Sequence, residues 1–228
     1  TWPVRWPVCA RWRSSRGERV PEAGEVPDYW AQAKQRLSAV DPVLAGFISR
    51  YDGEVLVTRG DLFFTLLRSI VGQQISGKAA AAIWDRVVSL VGEVTPQHVL
   101  AHPFDELRAC GLSNSKTHYI FGISEAFQSG FGERAWDDLS DEQVVAKLCE
   151  LKGVGVWTAE MILIFTFLRP DVFPVGDLGV VRGIEGLYND GEELTKAELL
   201  DLAEGWRPWR TVATWYLWRS LDSEPVEY

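Results

Sequence analysis

Cysteine is scarce in this chain. There are three in 228 residues, Cys9, Cys110 and Cys149, odd in number and far apart. That spacing excludes a disulfide framework and a thiolate metal knuckle, and it points to a reducing compartment, the cytoplasm. It also leaves no four-cysteine cluster for an iron–sulfur centre. The three histidines, His98, His102 and His118, are scattered and form no metal site, with His118 read as structural. No apolar run reaches the roughly 18 residues of a membrane span, and the N-terminus lacks the uninterrupted apolar core of a signal peptide. Strand patterning is nearly absent: Glu54-Val-Leu-Val-Thr58 is the one alternating run, too short to build a sheet. A surplus of positive charge is missing too, since the formal net charge is −9. A basic surplus is the usual footprint of a nucleic-acid binder. Phosphate contacts are local, however, and net charge bears on solubility and long-range association. The balance therefore predicts weak nonspecific affinity without excluding a nucleic-acid partner.

What is present is helical. Hydrophobic residues make up 46% and charged residues 24%, ordinary for a globular chain. Residues 1–25 stand apart: Trp2, Trp6 and Trp12 alternate with Arg5, Arg11, Arg13, Arg16 and Arg19 without a sustained period. Two readings fit, a basic-aromatic arm that touches nucleic acid and a poorly ordered terminus. From residue 26 to 228 the pattern is that of one helical domain. Tyr29-Trp30, Ala33, Leu37 and Val40 recur at helical spacing, and Asp41-Pro42 starts a second helix. Asp61 precedes an apolar helix to Val71, and Ser76 caps an alanine-rich helix from Gly77 to Leu90. Thr95-Pro96 and His102-Pro103 start two short helices. Ser113 caps a helix to Phe127, in whose first turn Lys116 either reaches a phosphate or lies solvated. Capping boxes at Ser140/Gln143 and Thr195/Glu198 start helices 141–151 and 196–204. Further helices are expected over 178–187 and 211–221. About ten helices with short connections predict an all-α protein of two interleaved helical halves.

The stretch from Leu151 to Ile184 organises the rest. Gly153-Val154-Gly155 joins two helical patterns as a hairpin. Glycines expose backbone N–H groups at the start of a helix, where dipole and unpaired donors favour an anion such as phosphate. The following helix, Val156 to Leu168, is apolar on nearly every side and so is expected to be buried. A turn at Pro174-Val175-Gly176 then brings the chain to Asp177, a lone carboxylate.

At these residues the chain resembles a known family. Lys152-Gly-Val-Gly-Val-Trp-Thr-Ala159 is similar to the hairpin of the helix-hairpin-helix DNA glycosylases. Val172-Phe-Pro-Val-Gly-Asp-Leu-Gly179 is similar to their Gly/Pro-rich loop and catalytic aspartate. Ile70-Val-Gly-Gln-Gln-Ile-Ser76 and Leu112-Ser113-x-x-Lys116 add two further motifs, and the resemblance covers about residues 26 to 220. Within that superfamily the chain is identified as a member of the 3-methyladenine DNA glycosylase II (AlkA-like) branch, and the missing cysteine cluster sets it apart from the iron–sulfur members. The resemblance implies an active-site cleft between two helical halves. It implies no cofactor or metal, and a monomer acting on duplex DNA that contains alkylated bases. The extra N-terminal β-domain of some relatives is not expected. Implied DNA contacts are Lys152, Gly153, Gly155 and Thr158 at the hairpin, Gln73, Gln74 and Ile75 in the minor-groove loop, and Lys116. Gln74 stands where one residue fills the gap left by an extruded base. A glutamine there departs from the apolar wedge of related members.

The implied reaction is hydrolytic. Alkylation at N3 or N7 leaves a cationic purine with a weakened glycosidic bond. One carboxylate near the sugar stabilises the oxocarbenium-like transition state and orients water. Asp177 is the candidate, with the N-cap of the next helix as its structural alternative, and both roles can coexist. Asp171 is expected to be an ordinary turn residue. An extruded cationic base calls for π-faces. Trp157, Trp218, Tyr29 and Trp30 are the candidates for that pocket, Trp157 and Trp218 because they match aromatic pocket positions of the branch. Members that also cut the backbone carry a Schiff-base lysine where this chain has Trp157, so a monofunctional N-glycosyl hydrolase is expected. Flat aromatics recognise charge and π-area, which predicts a broad range of alkylated bases. A non-catalytic helix-hairpin-helix DNA-binding module and a glycosylase for oxidised or mismatched bases are the competing readings.

Overall fold

The computed structural model describes residues 24–221. The arm of residues 1–25 therefore lies, except for Gly24 and Glu25, outside the described residues. In chain order the first helices are α1 (Trp30–Val40), α2 (Pro42–Arg50), α3 (Leu62–Gly72), α4 (Gly77–Val91), α5 (Pro96–Ala101) and α6 (Phe104–Ala109). They are followed by α7 (Asn114–Gln128), α8 (Asp141–Leu148), α9 (Val156–Phe165), α10 (Leu178–Tyr188), α11 (Lys196–Glu204) and α12 (Arg210–Leu221), with two single 3-10 turns before α8. The described residues hold no strand, so the all-α reading stands.

The helix starts follow from side-chain chemistry. Ser76, Thr95 and Ser113 each accept a backbone N–H of the helix they open, and both capping boxes are closed in both directions. The chain forms two compact units. The first holds residues 62–138 and 150–153 and is built on α3, α4 and α7, with Leu66, Leu67, Ile70, Val87 and Ile120 fully buried. The second holds residues 24–61, 139–149 and 154–221. Its centre is α9 and α12. All of Thr211–Arg219 is buried, as are Thr158, Ala159 and Met161–Phe165. Burying each large apolar side chain contributes about 1.5–3 kcal/mol. α10 lies close against α12, because a Cβ on Gly183 would sit 3.0 Å from the Leu217 carbonyl oxygen.

Two helix ends fall short of the expectation, and the one alternating run pairs otherwise than in a sheet. Helix α8 stops at Leu148, and α9 stops at Phe165 and not at Leu168. The chain leaves α9 through Leu168 in a left-handed conformation (φ 51°), with Phe167 N–H on the Ile162 carbonyl and Arg169 N–H on that of Leu163. The run Glu54–Thr58 is extended but is no strand. The Thr58 hydroxyl donates to the carbonyls of Phe165 (3.0 Å) and Thr166 (3.2 Å), and Arg59 N–H donates to the Phe165 carbonyl (2.9 Å). The run therefore satisfies the last carbonyls of α9, groups that a helix end cannot pair internally.

Candidate functional site

Asp177 is 4% exposed and caps α10. Its Oδ1 accepts the Val180 N–H (2.9 Å) and the Trp218 indole N–H (2.9 Å), and its Oδ2 accepts the Trp157 indole N–H (2.7 Å). The cap read from the sequence is thus present, on a carboxylate that also accepts two indole N–H groups. A carboxylate has about four acceptor positions. Three are taken among the described residues, and the fourth lies on Oδ2. The backbone turn is tied as well: Asp177 N–H donates to the Pro174 carbonyl (2.8 Å) and Val175 N–H to that of Phe173 (2.9 Å).

The loop before that turn is anchored on the start of α12. Thr211 donates its hydroxyl to the Arg169 carbonyl (2.6 Å) and accepts the Val172 N–H (3.0 Å). Asp171, expected to be an ordinary turn residue, accepts two N–H groups of Arg210 and one of Arg207. A fork of this kind fixes geometry as well as charge. The same loop thus binds to the helix that carries Trp218.

Gly179 shapes the contact between α10 and Trp218. A Cβ there would meet Trp218 Cδ1 at 3.0 Å, Asp177 Oδ1 at 3.1 Å and Trp218 Nε1 at 3.2 Å. A side chain at this position would crowd the indole and the carboxylate at the point where they hydrogen-bond.

The four aromatic candidates part company. Trp157 is half-buried and borders Asp177. Trp218 is 3% exposed and stacks on Phe165, with centroids 5.7 Å apart. Its N–H edge serves the carboxylate while its face is already covered. Trp30 is 4% exposed, packed on Trp215 and Tyr216, and Tyr29 stacks on Trp209. The faces of Trp218 and Trp30 are used by the fold, which corrects the expectation of open stacking surfaces there, whereas Tyr29 is half-buried with one stacking partner. Burial pushes the Tyr29 hydroxyl's pKa up, and the Asp28 carboxylate adds to the rise.

One charged residue was passed over. Glu160 lies one turn after Trp157 and is the single charged side chain in α9. Burial and the Asp177 carboxylate push its pKa up to about 7, with Lys196 opposing. Glu160 lines a cavity of about 450 Å³ together with Cys149, Val156, Leu163 and Phe173. A lone acid on an otherwise apolar helix was the available signal.

The two hairpin glycines differ in what requires them. Gly153 has φ +93°, and a Cβ on it would fall 2.4 Å from the Tyr119 ring. Gly155 has ordinary extended dihedrals and caps α9 with no side-chain cap bond. A Cβ on Gly155 would meet nothing within 4 Å, so no protein atom demands a glycine there. Lys152 is exposed, whereas Thr158 is 2% exposed, so its side chain faces inward and does not offer itself to a ligand. In the other motif Gln74 is exposed with φ +59°, and Ile75 is 38% exposed. Gln73 donates its amide to the Gly153 carbonyl (3.0 Å). Lys116 is half-buried and reaches back to the end of α3. Its ammonium donates to the carbonyls of Val71 and Gln73, each at 2.7 Å. Among the described residues no three His, Cys, Asp or Glu side chains converge on a metal position, and no helix is long and apolar enough to cross a membrane.

Comparison with known proteins bears on the whole arrangement. The family described as HhH-GPD superfamily base excision DNA repair protein matches residues 67–208. The DNA-3-methyladenine glycosylase 1 of Schizosaccharomyces pombe is 32% identical over 209 residues, covering 88% of this chain and 92% of its own. The DNA-3-methyladenine glycosylase of Saccharomyces cerevisiae is 34% identical over 185 residues, covering 75% of this chain and 61% of its own. A solved structure of the S. pombe 3-methyladenine DNA glycosylase in complex with abasic DNA superposes with a TM-score of 0.74 at 31% identity, over 86% of this chain and 100% of that one.

Proposed function

We propose, for a chain that belongs to the HhH-GPD superfamily of base excision DNA repair proteins, hydrolytic excision of alkylated bases from duplex DNA. The names of its relatives support 3-methyladenine as a substrate. The observation that carries the reading is the state of Asp177: buried, gripped by two indole N–H groups and one backbone N–H, with an acceptor position left on Oδ2.

The reaction follows from that geometry. The damaged nucleotide is extruded from the stack. As the glycosidic bond breaks, positive charge develops on the sugar, and the fixed Asp177 carboxylate stabilises it without reorganising. Water held at the remaining Oδ2 position is oriented for attack on the sugar carbon and gives up its proton to the Asp177 carboxylate. The cationic base leaves neutral, so no acid is needed to protonate it. Trp157 offers the half-buried aromatic face nearest this point. An indole cannot form a Schiff base, so the product is an abasic site in an uncut strand. The hairpin at Lys152–Gly155 holds phosphate through backbone N–H groups, and Gln74 with Ile75 fills the gap left in the duplex. Residues 26–228 are the glycosylase domain and residues 1–25 an extension of it. The protein acts as a monomer on cytoplasmic, nucleoid DNA and uses no cofactor.

The test is to treat methylated duplex DNA with the protein and analyse both products. Free 3-methyladenine and 7-methylguanine with an intact abasic strand are expected. A covalent enzyme–DNA species trapped by borohydride contradicts hydrolysis. Tight binding of damaged DNA without base release would make the chain a binding module.

A further inference from the structure

Lys116 stands in the first turn of α7, where a cation gains nothing from the helix dipole. What it gains is at another helix. Val71 is in the last turn of α3, and its carbonyl is one of those that α3 cannot pair internally. Gln73 is the first residue beyond α3. The Lys116 ammonium bridges the two at 2.7 Å each. It thus closes the C-terminal end of α3, where a positive charge is favoured. The same short loop is tied a second time, through the Gln73 amide on the Gly153 carbonyl. Directly after these ties the chain turns through Gln74 in a left-handed conformation that a non-glycine residue adopts only under constraint. Burial of the ammonium among these carbonyls lowers its pKa, as expected for a cation withdrawn from water.

We infer that Lys116 is a positioning residue for the loop 72–76, clamping the strained turn that presents Gln74 and Ile75, and that it does not bind DNA phosphate. The inference rests on the proposed gap-filling role of Gln74 for its functional consequence, but not for the clamp itself. Without the clamp the end of α3 frays, Gln74 leaves its left-handed conformation, and the extruded state loses its support. The loss falls on extrusion and not on phosphate affinity.

The experiment compares the full chain with Lys116→Met, and with Lys116→Gln should the methionine variant fail to fold. Hydrogen exchange of the amides at 72–76 is read without DNA. The expected result is exchange at least about tenfold faster there, with α9 and α12 unchanged. Binding to duplex DNA carrying an abasic site is then measured against salt. A lost phosphate contact would make the slope shallower by about 0.9, whereas the clamp predicts no change of slope. Single-turnover excision should fall about tenfold on a paired lesion, and the defect should shrink when the lesion lies in an unpaired bubble, where extrusion needs less help. Unchanged exchange at 72–76, or a slope shallower by about one, overturns the inference. Absence of base release by the unaltered protein would instead refute the proposed function and leave the exchange result to decide the clamp.

Discussion

Two buried aspartates cap helices in the second unit, and they are built differently. Asp41 opens α2. Its Oδ1 accepts the N–H groups of Val43 (2.9 Å) and Leu44 (3.0 Å), and its Oδ2 accepts the Tyr188 hydroxyl (2.8 Å) and the Trp206 indole (2.8 Å). Burial, together with the hydrogen bond to Asp41, raises the Tyr188 pKa and keeps that hydroxyl a donor. Four donors meet four acceptor positions, and the carboxylate is saturated. Asp177 opens α10 with three donors. Residue type, cap position and aromatic partners are shared. What separates the two carboxylates, among the described residues, is a single acceptor position.

The largest effect that would break the comparison is on Asp41. Asp41→Ala strands two buried donors and removes a cap, which should destabilise by about 3 kcal/mol, or roughly 6–12 °C in Tm for a chain of this size. Excision per folded molecule should stay within about threefold. Thermal unfolding and single-turnover release, measured on the same sample, separate the two effects. A variant that is stable but inactive would erase the distinction.

Next comes Gly179→Ala. The added methyl pushes Trp218 away from Asp177, and loss of a hydrogen bond to a carboxylate, about 1.5–3 kcal/mol, lowers the excision step roughly 10- to 100-fold. Substrate affinity should hardly move, since the methyl meets only buried Trp218 and the capping oxygen of Asp177. A defect confined to binding would show that Gly179 serves only helix packing.

Trp157→Phe removes the Oδ2 donor and keeps an aromatic face, so about tenfold slower excision is expected. If excision is unchanged, the Trp157 hydrogen bond is dispensable.

The smallest effect is on pH. Glu160 has a pKa of about 7 in the folded protein, above the ordinary carboxylate range of about 4.3. The native state therefore binds more protons than the unfolded chain between those values. Stability falls as pH rises through that window. Glu160→Gln should flatten this fall by about 1 kcal/mol once solvent screening of the half-buried group is allowed for. Urea midpoints at pH 5 and pH 8 measure it, and an unchanged slope with pH would show that Glu160 ionises freely.

These comparisons also mark how far the sequence could be read. Caps and boxes are local, so Ser76, Ser140/Gln143 and Thr195/Glu198 were legible within four residues. Asp177 was legible as a cap, and its loop is what proposes it as the reacting group. Its partners were not: Trp157 and Trp218 lie 20 and 41 residues away and were read as stacking faces, whereas packing turns their N–H edges to the carboxylate. Lys116 was weighed between solvent and phosphate because local pattern cannot reveal a carbonyl 45 residues distant. The run 54–58 alternates like a strand because it is extended, yet its partners are the carbonyls that end α9.

The most direct measurement is single-turnover excision of 3-methyladenine by Asp177→Asn. The amide keeps the size and cap of the carboxylate. It lacks the charge, and if its carbonyl serves the cap, its NH2 faces the Trp157 donor. A loss of roughly 10²- to 10⁴-fold in excision is expected, with binding of abasic DNA within about threefold and Tm lower by roughly 3–12 °C for the lost hydrogen bond of about 1.5–3 kcal/mol. Excision near the unaltered rate would contradict the account, because Asp177 would then be a cap like Asp41 and the reacting carboxylate would lie elsewhere.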